Sequence, residues 1–275
     1  MSEAVDARLQ LRIQRYGWDA AASVYQDAWQ AQLAPAQEAL LACAHLRAGQ
    51  RVIETAAGTG LVTFAAAAAV GPDGHVLATD LSGEMVASGR AEAGRRGLDQ
   101  VTFQRMNAEA LDCADRSFER ALCSLGLMYM PDPVAALGEL KRTLVPGGRA
   151  AVSVWGERRN CGWAEIFPIV DARVASEVCP LFFSLGAPDA LASAMLAAGF
   201  RDVEERRLQE VMTFSGPRQI LEAVIDGGAV ALAARRFEAD TRRAVDREFL
   251  DSVAAWREGE RYRVPGEFVV ATGVA

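Results

Sequence analysis

Two acidic side chains, Glu54 and Asp80, each stand at the end of a short apolar run. The first run, Arg51-Val52-Ile53, leads into Glu54-Thr55-Ala56-Ala57-Gly58-Thr59-Gly60, and a helical pattern begins around Leu61. That order reads as strand, tight turn and helix, the opening of a nucleotide-binding α/β sheet. Small residues let the chain reverse and let a ligand lie against bare backbone. A helix starting there also points unpaired N–H groups at the ligand. Such a turn can equally be a plain β–α connection, so it gains meaning only from its companions. Asp80 is the first companion. It closes His75-Val76-Leu77-Ala78-Thr79 twenty residues beyond Gly60, where a carboxylate can accept from ribose hydroxyls.

Other chemistries find less support. The five cysteines (Cys43, Cys113, Cys123, Cys161, Cys179) contain no Cys-x-x-Cys pair, and there are two histidines, His45 and His75. Metal-ligand spacing is therefore absent, and no metal site is expected. Free thiols in a reducing cytoplasm are the plain expectation for the cysteines. A formal net charge of −7 argues against nucleic acid as the main partner. The Arg-rich segments at 201–207 and 235–243 alternate with Glu and Asp, as solvated faces do. The opening Met-Ser-Glu-Ala-Val-Asp is too polar for a signal peptide. No apolar run reaches transmembrane length, so a cytoplasmic protein is expected.

The remaining elements follow in order. Residues from about 6 to 46 have helical periodicity, with a second helix expected to start at Pro35. Gly71-Pro72-Asp73-Gly74 marks a turn, and Ser82 can cap a helix running to about Arg95. Val101-Thr102-Phe103-Gln104 makes a third strand, followed by Asn107-Ala108-Glu109. Ser117–Leu125 holds a fourth strand, Pro133–Leu144 a helix, and Ala150–Trp155 a fifth strand after Val145-Pro146-Gly147-Gly148-Arg149. Further on, helices are expected over Trp163–Val174, from Ala187-Pro188-Asp189 to Gly199-Phe200, and through 216–259. Strands are expected over Val203–Phe214 and Glu267–Thr272. Strands alternating with helices imply a largely parallel sheet.

The dinucleotide pattern Gly-x-Gly-x-x-Gly is missing, because Thr63 stands where its third glycine would be. The order acidic-x-small-x-Gly-x-Gly, with Asp80, Asn107-Ala108-Glu109 and Leu144-Val145-Pro146-Gly147-Gly148, instead resembles the class I S-adenosylmethionine-dependent methyltransferases. The likeness covers roughly residues 50–156 and is similar to the small-molecule branch around ubiquinone and menaquinone biosynthesis. Glu54 replaces the commoner Asp, and Ala56 replaces the first glycine. The resemblance implies a Rossmann-like α/β fold of seven strands, mostly parallel with the last antiparallel, helices on both faces and a helical lid. It implies S-adenosyl-L-methionine as cofactor, bound by Glu54, Ala56, Gly58, Gly60, Asp80, Leu81, Met85, Asn107, Ala108 and Cys123. Asn107 is expected to accept from the adenine amino group through its amide oxygen.

On this reading residues 1–48 form a flap, 49–156 the cofactor core, and 157–275 the acceptor-pocket helices, lid and final strands. Trp18, Tyr25, Tyr129 and Trp155 are the expected acceptor contacts, with Tyr129 the candidate catalytic group. Packing of these rings in the core is the competing explanation. The expected activity is methyl transfer to a small-molecule acceptor by alignment, without a histidine base. The alternatives are a nicotinamide oxidoreductase, disfavoured also by the lack of a Tyr-x-x-x-Lys pair, and a cofactor-binding protein without catalysis. Ser124-Leu125-Gly126-Leu127 in place of Asn/Asp-Pro-Pro-aromatic disfavours methylation of a flipped base. A homodimer is compatible with the sequence, which does not decide oligomeric state.

Overall fold

A computed structural model describes residues 7–174 and 182–275. The chain runs α1 (Ala7–Ala44), β1 (Arg51–Thr55), α2 (Leu61–Val70), β2 (His75–Asp80), α3 (Gly83–Arg96), β3 (Val101–Arg105), β4 (Phe118–Ser124), α4 (Pro133–Thr143) and β5 (Leu144–Trp155). Then come α5 (Ile166–Asp171), α6 (Ala190–Ala197), β6 (Arg201–Phe214), α7 (Pro217–Leu221), α8 (Ala231–Ala234), α9 (Ala239–Ser252), β7 (Arg257–Glu258) and β8 (Arg261–Val274). The strands lie in the order β3-β2-β1-β4-β5-β8-β6, with β7 pairing only β8. Neighbours from β3 to β5 are parallel, while β8 runs antiparallel to both β5 and β6.

The seven-stranded path with its last strand reversed is the one the resemblance implies. β7 adds an eighth strand of two exposed residues, Arg257 and Glu258, which no apolar pattern marks. β1 and β2 are buried along nearly their whole length, which is why they read as unbroken apolar runs. β6 is the outer strand, and its exposed Arg201, Glu204 and Arg206 sit where charge discourages pairing with another sheet. The sheet is built outward from β1 in both directions, through β2 to β3 and through β4 to β5. Such a switch point opens a crevice at the carboxyl ends of the strands.

Several expected boundaries are corrected. Pro35 does not start a second helix; it lies inside α1, which runs for 38 residues. Proline forfeits one ladder hydrogen bond there, but Trp29, Leu33, Ala36 and Leu40 are all buried and hold the helix against the sheet. Packing outweighs the local break. The helix expected over Trp163–Val174 shortens to α5, and 216–259 divides into α7, a π-helical turn at Glu222–Asp226, α8 and α9. The last strand starts six residues earlier than expected because β8 pairs β6 from Tyr262 to Val274. Pro146-Gly147-Gly148 falls within β5 as a bulge between the pairs Phe118–Leu144 and Arg120–Arg149, with Gly147 at φ 79°. Among the described residues no helix is long and apolar enough to cross a membrane. Cys179 lies outside the described residues.

Candidate active site

A cavity opens at the carboxyl ends of β1, β2 and β4, with about 710 Å³ of space in it and its open mouth together. Ala56, Gly58, Asp80, Leu81, Met85, Asn107 and Ala108 line it from the sheet side, and Trp18, Tyr25 and Tyr129 from the roof.

Asp80 sits at the centre of the sheet-side wall. Its Oδ2 accepts the Gly58 N–H at 2.8 Å and its Oδ1 accepts the Ser82 N–H at 2.8 Å. One carboxyl group thereby ties the loop after β1 to the start of α3. Ser82 in turn caps α3 by accepting the Met85 N–H at 3.1 Å. Burial pushes the Asp80 carboxyl up to about 6, against the lowering effect of the Ser82 and Gly58 N–H groups. Glu54 lies deeper, 1% exposed, and lines a small recess next to the main cavity. Its Oε2 accepts the Thr63 hydroxyl at 2.6 Å. Burial, opposed by that hydrogen bond and joined by the nearby Asp80 charge, raises it to about 8. The Tyr25 phenol is pushed up by enclosure and then by Asp80 and Glu54.

These shifts make charge at the site depend on pH. A carboxyl raised in the folded state favours folding at low pH, and that contribution is lost as pH climbs from the ordinary carboxylate range through about 8 for Glu54. A cationic ligand reverses the balance by favouring the ionised carboxyl. Affinity for such a ligand is expected to rise with pH between about 6 and 8, by up to about tenfold per unit. Glu54→Gln should flatten the rise, so calorimetry of both proteins across this range checks it. Parallel profiles for the two proteins would exclude Glu54 as the titrating group.

The loops after β1 and β4 each hold one non-glycine residue in the left-handed region. Ala56 is held at φ 52° and Leu125, after β4, at φ 54°. This left-handed region strains any residue with a Cβ, and it explains why glycine is the commoner choice at position 56. Gly126 makes room for the Ala56 methyl: a Cβ on Gly126 would lie 2.2 Å from it. Gly126→Ala is expected to destabilise the protein by about 2 kcal/mol through overpacking, and Ala56→Gly should rescue it. Thermal melts of the two single variants and the double variant test this. A double variant no more stable than Gly126→Ala would refute the contact.

Asn107-Ala108-Glu109 reaches the cavity edge, but its polar groups are partly engaged. The Asn107 amide oxygen already accepts the Glu109 N–H at 3.1 Å, and the Glu109 carboxylate accepts the Asp132 N–H at 2.7 Å. A ligand amino group can reach only the second lone pair of Asn107. α1 forms the roof. Asp19 Oδ1 accepts from the Ser82 hydroxyl at 2.6 Å and the Glu84 N–H at 3.3 Å, pinning α1 to the start of α3. From the roof Trp18 meets Tyr25 and Tyr129 edge-on, with ring centroids 5.6 and 5.0 Å apart. Tyr129 also packs on Phe182 at 5.2 Å.

Besides Glu54 in its recess, three more of the expected residues lie off the main cavity. Gly60, at φ 100°, precedes α2, and a Cβ there would strike Phe64 at 2.7 Å and Phe103 at 2.9 Å, so it serves the turn and its packing. Cys123 is fully buried beneath Gly126, and burial pushes its thiol up to about 11, which keeps it protonated. Trp155 lines a second chamber behind the first, together with Trp18, Tyr25 and Tyr129. His45 is exposed after α1, and His75 starts β2 at the opposite end of the sheet. Leu125 and Gly126 also line the cavity; the sequence marks them only by the absence of a base-gripping motif, since a serine-leucine-glycine after a strand carries no chemistry of its own.

The comparisons agree with this architecture. A methyltransferase-domain family model matches residues 52–148. The ubiquinone/menaquinone biosynthesis C-methyltransferase UbiE of Hahella chejuensis is 31% identical over 189 residues, covering 68% of this chain and 74% of the relative. An uncharacterized protein of Mycobacterium tuberculosis is 37% identical over 123 residues, 45% of this chain, so the match spans 43% of that relative's length. Among solved structures, a Haemonchus contortus phosphoethanolamine N-methyltransferase gives a TM-score of 0.63 at 16% identity, covering 98% of this chain and 60% of that one. The YcgJ protein of Bacillus subtilis gives 0.61 at 18% identity, covering 88% and 98%. These two support the fold alone. The Hahella relative, covered over 74% of its length, and the family model together place the chain in the class I S-adenosylmethionine-dependent methyltransferase family, in its UbiE-like branch.

Proposed function

We propose that this protein transfers a methyl group from S-adenosyl-L-methionine to a small-molecule acceptor. The observation that carries this reading is the wall formed by Gly58, Asp80 and Asn107-Ala108 along consecutive strand ends, opening past Trp18 and Tyr129 into an aromatic chamber. Asp80 suits the ribose hydroxyls, Leu81, Met85 and Met106 offer apolar surface to the adenine, and Asn107-Ala108 meets the edge of the ring. Glu54 supplies negative charge beneath the loop for the cationic amino-acid end. The cofactor brings an electrophilic methyl group on a sulfonium. The chain's own part is to hold both molecules in line and to keep water out beneath α1.

Tyr129 is the residue we assign to orienting the acceptor, through its phenol. No histidine lines the cavity, so an acceptor that ionises readily, or a neutral amine, reacts without a strong protein base. We place the reaction in the cytoplasm, on a small molecule and not on nucleic acid, with a homodimer as one assembly open to the protein. Incubation with S-adenosylmethionine and candidate metabolites should give an acceptor heavier by one methylene and an equal amount of S-adenosylhomocysteine. On that acceptor Tyr129→Phe should lose more than about threefold in rate, and His45→Ala and His75→Ala less. A loss of about 100-fold in either histidine variant, the scale of a missing general base, would overturn the alignment mechanism.

A further inference from the structure

A third chamber opens between α1 and α8, with about 660 Å³ of space in it and its open mouth together. Gln14 and Trp18 belong both to its wall and to that of the cofactor cavity. Trp18, Gly228 and Ala229 belong both to its wall and to that of the aromatic chamber. Trp18 alone among the described residues borders all three spaces, so its ring is the partition between them. The rest of the third chamber's wall is apolar or small, with Ile13 on α1 and Leu232 and Ala233 on α8, except at Arg236.

Arg236, exposed just beyond α8, is the one charged residue among the described residues that line this chamber. The other arginines of its segment are engaged. Arg235 donates to the Ala20 carbonyl, Arg242 pairs with Asp226 and Asp246, and Arg243 pairs with Asp240. No ion pair or side-chain hydrogen bond engages Arg236 among the described residues. Two carboxylates close in the chain to the chamber wall are turned to other partners, Asp226 to Arg242 and Asp19 to the Ser82 hydroxyl. The charge of the neighbouring spaces is the opposite. Asp80 lines the cofactor cavity and Glu54 its recess.

We propose that the chamber between α1 and α8 holds the far end of an elongated acceptor, and that this end is a carboxylate paired with Arg236. The inference rests on the methyltransferase reading, which makes the first cavity the cofactor's. The acceptor's apolar middle then lies against Trp18, and its reacting end points toward Tyr129. A molecule turned the other way would set its carboxylate beside Asp80 and Glu54, where like charges repel. A planar guanidinium can donate two parallel hydrogen bonds to a carboxylate. One cation balances one carboxylate, whereas a doubly charged phosphate would keep a charge unmatched against an apolar wall. The cationic cofactor is drawn the opposite way, to Asp80 and Glu54. Arg236 therefore sorts the two molecules and sets acceptor specificity, and it takes no part in bond-making.

The test is calorimetry on the full chain saturated with S-adenosylhomocysteine. The probes are 4-phenylbutanoate, 4-phenylbutan-1-ol and 4-phenylbutan-1-amine, which match in length and differ in the charge at one end. The acid should bind the unmodified protein about fivefold more tightly than the alcohol, and the amine should bind more weakly than either. Arg236→Gln should bring acid and alcohol level, Arg236→Lys should keep most of the preference, and Arg236→Glu should make the amine the tightest of the three. Arg236 is exposed and engages no described side chain, so thermal melts of the variants should match the parent. Equal binding of acid and alcohol to the unmodified protein would overturn the inference, and so would an absence of binding by all three. An acid preference that survives in Arg236→Gln would do the same. Binding of S-adenosylhomocysteine is read separately beforehand. Its presence without an acid preference refutes the role of this chamber alone, whereas its absence refutes the methyltransferase reading beneath it.

Discussion

Asp80→Ala is expected to weaken S-adenosylhomocysteine binding by about 100-fold or more. Two ribose hydroxyls donating to one carboxylate make charge-assisted hydrogen bonds worth about 1.5–3 kcal/mol each. The substitution also removes the shared acceptor for the Gly58 and Ser82 N–H groups, so the loop after β1 loses its tie to α3. Asp80→Asn keeps one oxygen acceptor and should fall between the parent and Asp80→Ala. Calorimetry with the two variants, alongside thermal melts, separates lost ligand contact from lost loop order. Unchanged affinity in Asp80→Ala would move the ribose contact to another residue.

The largest stability effect is expected at Trp29. This side chain is 5% exposed, packs edge-on against Trp155, Trp163 and Phe214, and donates to the Gly227 carbonyl. Trp29→Ala should cost about 3–5 kcal/mol through the cavity it leaves. At about 2–4 °C per kcal/mol for a chain of this size, the melting temperature should drop by about 10 °C. Trp29→Phe keeps most of the packing and should cost less than half as much. For the same reason, deletion of residues 1–30 is expected to impair folding as well as to uncover the site. A truncated protein that melts cooperatively near the parent temperature would contradict this role for α1.

The readable part of the chain was the part whose function constrains backbone. A turn that lets a ligand lie on bare main chain needs small residues, so 54–60 announces itself, and the order of strands follows from their apolar runs. The α1 boundary was not legible, because Pro35 is a strong local breaker and the burial that overrides it comes from distant parts of the chain. The pairing of Ala56 with Gly126 was hidden for a related reason. The two lie 70 residues apart, and only the meeting of the loops after β1 and β4 shows why one glycine is lost where another stands. Trp163 read as ordinary helix content. Its indole N–H, without a partner among the described residues, shows only once the surrounding walls are in place. Cys123 and Gly60 carry a cofactor role by resemblance, and their burial adds a packing role that no motif marks.

The most direct test of the central claim is calorimetric titration of the unmodified protein with S-adenosylhomocysteine, S-adenosylmethionine and NAD in turn. Saturable binding of both adenosyl ligands at a single site, with no heat from NAD and with a loss of heat in Asp80→Ala, is expected. Tight binding of NAD with no heat from either adenosyl ligand would contradict the assignment of the cavity.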